Sequence, residues 1–96
     1  MRVTFNALAE QELNDAARYY EVERAGLGGT FITDVQRCCE AIATHPLAAP
    51  VVRGDIRQRL CHRFPYAVLY SSAGDEIRVL AVMHLRRRPG YWVGRR

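Results

Sequence analysis

Two groups of arginines are spaced for chemistry, and both fall in the second half of the 96-residue chain. Arg57, Arg59 and Arg63 occupy odd positions of Ile56–Arg63. On a strand, alternate side chains share a face, so these guanidiniums would stand about 7 Å apart or twice that. Guanidinium forks bind phosphate or carboxylate bidentately. The ladder is therefore an anion-binding face, or else the charged outer face of an edge strand that resists aggregation. The second group is His84 with Arg86, Arg87, Arg88, Tyr91 and Trp92. Arginines interleaved with aromatics suit nucleic acid, because charge neutralises phosphates while rings stack on bases. The plainer alternative is that Tyr91 and Trp92 seal one end of a sheet while the arginines are solvated.

Cleavage of RNA through the 2′-hydroxyl needs a proton acceptor, a proton donor and a stabiliser for the charged phosphate. Arginine serves only as the stabiliser, since its pKa lies above about 12. All 14 basic residues are Arg and none is Lys. Proton transfer would fall to His62, His84, Tyr66, Tyr91 or an acid such as Asp55. His84 is preferred because it stands where a strand runs into the basic tail. No Ser/His/Asp signature, P-loop, H-x-E or H-E-x-x-H motif occurs. Gly26-Leu27-Gly28-Gly29 lacks the end of a phosphate loop and reads as a turn. No cofactor or metal is expected. Adjacent Cys38 and Cys39 point about 100° apart on a helix, and Cys61-His62 has no second pair at zinc spacing. The three cysteines read as small buried hydrophobes in a reducing cytoplasm.

The net charge is +4 and the isoelectric point near 9.3, but the charge is uneven. Residues 1–48 carry four Arg against seven acids, a net −3, and residues 49–96 carry ten Arg against three acids, a net +7. The second half calls for an anionic partner: nucleic acid, an acidic protein segment or a membrane surface. A hydrophobic content of 49% and charged content of 25% are globular values, which exclude disorder. No apolar run reaches the roughly 20 residues of a membrane span, and the N-terminus has no signal-peptide core. One domain over residues 1–96, located in the cytoplasm, is the expectation.

Several elements must position these residues. Arg2–Phe5 is β-branched and aromatic, a first strand. Asn6 caps a helix over about Ala7–Glu23, whose apolar stripe is Ala9, Leu13, Ala16, Ala17 and Tyr20. A second helix runs from Gly28 or Thr30 to Thr44 on Phe31, Val35, Cys38 and Ile42, and Pro46 ends it. Ile56–Arg63, Tyr66–Ser71 and Ile77–Met83 read as strands, the last nearly all apolar and therefore central. The segment after His84 reads as loop. The fold class is α+β with order β-α-α-β-β-β, a helical hairpin packed on a mostly antiparallel sheet.

These residues resemble the RelE/ParE superfamily of type II toxin–antitoxin toxins, especially its ParE-like plasmid-stabilisation branch. The resemblance covers nearly the whole chain in order. It runs through Glu12-Leu13, Tyr19-Tyr20-Glu21, Gly26-Leu27-Gly28 with Phe31, Ile42 with His45-Pro46, and Arg57. It continues through Arg63-Phe64-Pro65-Tyr66 with Tyr70, Val79-Leu80-Ala81-Val82, and His84 with Arg87-Arg88-Pro89, Tyr91-Trp92 and Arg95. The resemblance implies a helical hairpin over a curved sheet. It also implies a cognate antitoxin whose flexible tail wraps the toxin in a hetero-oligomer, and a target that divides the family. ParE-like members poison DNA gyrase, whereas RelE-like members cleave messenger RNA on the ribosome. Arg57 and Arg59 stand near positions where RelE-like nucleases place basic side chains, but no Lys is present. The leading expectation is a ParE-like binding toxin using Arg57, Arg59, Arg63, Arg87, Arg88 and Trp92. The alternatives are a metal-independent endoribonuclease using His84 or Tyr91, and a harmless nucleic-acid-binding module.

Overall fold

Asn6 ends the first strand and starts the first helix. Its backbone N–H donates to Val79 O at 2.8 Å, and its side-chain oxygen accepts from Leu8 N at 2.7 Å and Ala9 N at 3.4 Å. Helix N-termini leave such donors unpaired, and this cap satisfies them. The computed structural model describes residues 1–96. Its elements are β1 (Arg2–Phe5), α1 (Ala7–Glu23), α2 (Leu27–Thr44), β2 (Val51–Arg53), β3 (Ile56–Leu60), β4 (Tyr66–Ala73) and β5 (Glu76–His84).

The helices form the expected hairpin, with a closer link than the glycine run implies. Gly26 takes a left-handed φ of 88° just before α2, and Gly28 and Gly29 lie inside the helix. A Cβ on Gly28 would meet Ala17 O at 2.5 Å, so only glycine lets the two helices approach there. Glu21 completes the link by accepting from Gly26 N and Gly28 N.

The sheet order is β1-β5-β4-β3-β2, with β1 parallel to β5 and the remaining neighbours antiparallel. Five strands form where four are expected. The additional strand, β2, is three exposed residues between Pro50 and the Gly54 turn, too short for periodicity to reveal. β3 also stops at Leu60 rather than reaching Arg63. Beyond it, the buried carboxylate of Asp34 accepts from Arg63 N and Phe64 N, both at 3.0 Å, and draws the backbone toward α2.

β5 lies between β1 and β4 and is buried through most of its length, as its apolar run implies. Leu69 pairs with Ala81 and Tyr70 with Val79, which leaves Leu80 as a bulge. The bulge changes which residues face the helices. Ile77, Val79 and Val82 join Phe31, Val35, Ile42, Val68 and Tyr70 in the main core. Ala81 and Met83 face the other way with Ala67, Leu69 and Trp92. The Tyr70 hydroxyl, on a fully buried ring, donates to Pro46 O at 2.6 Å and fixes the end of α2 to the sheet. No helix is long and apolar enough to cross a membrane.

Candidate functional site

β1 stops opposite Val79, so the following stretch of β5 has no strand on that edge. Side chains fill the gap. Glu12 of α1 accepts from Val82 N at 3.1 Å, and Arg95 donates to Leu80 O at 3.1 Å. Arg95 and Glu12 also join through two bonds, at 2.9 Å and 3.2 Å. Their side chains are 13% and 20% exposed, so water screens this pair little. Tyr91 donates its hydroxyl to the same carboxylate at 2.6 Å. Burial and the adjoining Glu12 charge push the Tyr91 phenol well above its ordinary range. The Arg87 and Arg95 guanidiniums lie 4.2 Å and 5.0 Å from the Tyr91 ring centre.

This network forms one wall of a cleft of about 270 Å³ lined by Asp15, Tyr66, Val82, His84, Arg87 and Tyr91. His84 stands edge-on to Tyr66, with ring centres 5.0 Å apart. Its Nδ1 accepts from Arg86 N at 3.0 Å, so the neutral ring carries its proton on Nε2. Burial raises the Tyr66 phenol to about 12. A phenol raised so far is a weak proton acceptor near neutrality. Two carboxylates, Glu12 and Asp15, share the cleft with Arg87, so its charge is mixed and not uniformly basic.

The arginines expected to form a ladder have separate environments. Arg57 lies opposite Tyr70 on the helix side of the sheet, where it donates to Leu47 O at 3.1 Å and Ala49 O at 2.7 Å. Arg59 lines a cleft with Arg37, Cys38, Cys61 and His62. Arg63 lies past the strand and borders a different hollow at the start of α2. The expected three-rung face is therefore broken by the early end of β3 and by the Arg57 contacts. Arg87 and Arg88 are exposed in the turn after β5. Trp92 is 6% exposed and packs on Ala67, Leu69, Ala81 and Met83. Its ring is largely enclosed there, in the place of a residue that seals the sheet.

His84, Arg87 and Tyr91 thus come together, Arg59 and Arg63 line two other hollows, Arg57 bonds two backbone carbonyls and Trp92 packs in the second core. Sequence reasoning missed Glu12 and Asp34 as organisers. Asp34 carried a signal, being a charge between Phe31 and Cys38 on the apolar stripe of α2. Glu12 carried none beyond its place in the resemblance, since Arg95 lies 83 positions away. No three His, Cys, Asp or Glu residues lie close enough to hold a metal.

A family model described as the ParE toxin of the type II toxin–antitoxin system parDE matches residues 3–89. The chain belongs to this family. Tyr91 and Arg95 lie beyond the matched segment. A solved structure described as the chromosomal ParDE toxin–antitoxin system from P. aeruginosa has the same fold, with a TM-score of 0.64 and 18% identity. The similarity covers 88% of this chain and 95% of that one. Comparison with curated proteins found no match.

Proposed function

We propose that this chain inhibits growth by binding an essential target, DNA gyrase, and that a cognate antitoxin neutralises it in a hetero-oligomer. The observation that carries the binding reading is the engagement of the nuclease candidates in structural bonds. Tyr91 already donates to Glu12 at 2.6 Å, and Arg57 is held by two backbone carbonyls. Neither is poised to exchange a proton or grip a phosphate. The side chains offered to a target are Arg59, Arg63, Arg87 and Arg88, which form none of the chain's three ion pairs. Their positive charge suits an anionic partner surface, and the antitoxin segment that competes for it is acidic or amphipathic. Its capture weakens as salt rises, because exposed Arg–carboxylate contacts are screened. Membership of the ParE toxin family supports the same reading.

The alternative nuclease reading keeps one observation in its favour: His84, with Nε2 free, shares a cleft with Arg87. A supercoiling assay beside a ribosome-programmed messenger RNA cleavage assay, on the same purified protein, separates the two. The binding reading expects gyrase inhibition without RNA cleavage. Cleavage abolished by His84→Ala, in a variant that remains folded, would establish the nuclease. Induction in a susceptible cell without any growth defect would remove both and leave the harmless nucleic-acid-binding module.

A further inference from the structure

Cys38 and Cys61 are distant in sequence but share a cleft of about 320 Å³ between α2 and the end of β3, lined also by Arg37, Arg59 and His62. The Cys38 sulfur lies 3.7 Å from Arg59 O and 3.9 Å from Leu60 O, so it touches the backbone that immediately precedes Cys61. Both thiols therefore border one cleft, with the Cys38 sulfur set against the residue that leads into Cys61. Cys39, although adjacent to Cys38, lines a different groove with Val3, Phe5 and Val35.

We propose that Cys38 and Cys61 are an oxidisable thiol pair, which a hydroperoxide converts to an intramolecular disulfide joining α2 to the start of the β3–β4 connection. The two sulfurs have unequal roles. The neighbouring Cys61 thiol and the nearby Arg59 charge lower the Cys38 thiol against the opposing effect of burial. The same neighbour relation, with burial, raises Cys61. In the proposed pair Cys38 attacks and Cys61 resolves. Burial raises Cys39 to about 12 and leaves it inert.

In the first step the Cys38 thiolate attacks one peroxide oxygen and the O–O bond breaks. The departing hydroxide takes up a proton and leaves as water, and Cys38 becomes a sulfenic acid. In the second step the Cys61 sulfur attacks the Cys38 sulfur and the S–O bond breaks. The departing hydroxide takes the Cys61 proton and forms a second water. Two thiols and one hydrogen peroxide thus give one disulfide and two waters. Arg37 and Arg59 line the same cleft.

The test uses the purified full chain, first reduced and then treated with hydrogen peroxide. The free thiols should fall from three to one, with loss of two hydrogens in the intact mass. Peptide mapping should show a Cys38–Cys61 bridge and a free Cys39. Cys61→Ser should stop at a sulfenic acid on Cys38 that dimedone traps, and Cys38→Ser should form no intramolecular bridge. Peroxide should raise the thermal midpoint of the unsubstituted chain by several degrees and leave that of Cys61→Ser unchanged. Three thiols persisting at doses that fully oxidise glutathione would overturn the proposal. So would a bridge that uses Cys39 or joins two chains.

Discussion

The β3 arginines and the C-terminal arginines look equivalent as charges, but the two regions hold their structural arginine differently, by backbone carbonyls in one and by a carboxylate in the other. At the C-terminal end, Arg95 is enclosed with Glu12 and Tyr91 and completes an edge of β5. Along β3, Arg57 is held by carbonyls while Arg59 and Arg63 form no ion pair and line separate hollows. The difference shows that position along the chain does not decide whether an arginine is structural or available. What decides it is the acceptor beside the guanidinium. A carboxylate or free carbonyl in a partly buried place holds the group firmly, whereas solvent leaves it free for an anionic partner.

The strongest test of this contrast removes the acceptor at the C-terminal end. Glu12→Ala strands the Arg95 charge, the Tyr91 hydroxyl and Val82 N–H together. The expected destabilisation is about 3–5 kcal/mol, the cost of unpairing a largely buried charge. Urea denaturation measures it, and a loss within experimental error would erase the distinction between the two regions. Tyr91→Phe removes one of those bonds and should cost about 1.5–3 kcal/mol, because the acceptor is charged. If the chain acts by binding, that variant should still inhibit growth once its remaining stability is confirmed.

Along β3 the contrast predicts a split within the ladder. Arg57→Ala should cost about 1–2 kcal/mol through its two carbonyl bonds. Arg59→Ala and Arg63→Ala should each change stability by less than about 0.5 kcal/mol. The same two substitutions should weaken capture of the target or the antitoxin and flatten its dependence on sodium chloride. Equal stability losses at all three positions would mean that the ladder acts as one structural unit.

The smallest effect sharpens the contrast at high pH. The Tyr66 phenol rises from 10.0 to about 12 on folding. The folded state therefore holds this proton more tightly, and the stability it contributes is complete below pH 10. That contribution declines as pH rises from 10 toward 12, where the folded group also ionises. Ultraviolet titration of the phenols should show a late step lost in Tyr66→Phe, and the alkaline fall in stability should be shallower in that variant.

Much of the fold was legible because its signals are local. The stripe through Phe31, Val35, Cys38 and Ile42, the Asn6 cap and the apolar run from Ile77 each follow from neighbours in sequence. β2 was not legible, since three exposed residues carry no period. The end of β3 at Leu60 was not legible either, since it depends on Asp34 reaching the backbone of Arg63 and Phe64 from another element. For the candidate site, residue types identified His84, Arg87 and Tyr91, which do meet in one cleft. Residue types could not show that the Tyr91 hydroxyl is occupied or that the Trp92 ring is closed off.

The sequence by itself determined both helices and four of the five strands, the central place of the last strand, the concentration of Arg in residues 49–96 and the absence of Lys. Composition and short-range periodicity carry all of these. Only the tertiary structure decided which arginines remain free, which tyrosine is bound, and which cysteines share a cleft. Those outcomes depend on residues such as Glu12 with Arg95 and Cys38 with Cys61, which chain reversals bring into one place. Hydrogen bonds and ion pairs act over a few ångströms, so separation in space settles them and separation in sequence does not.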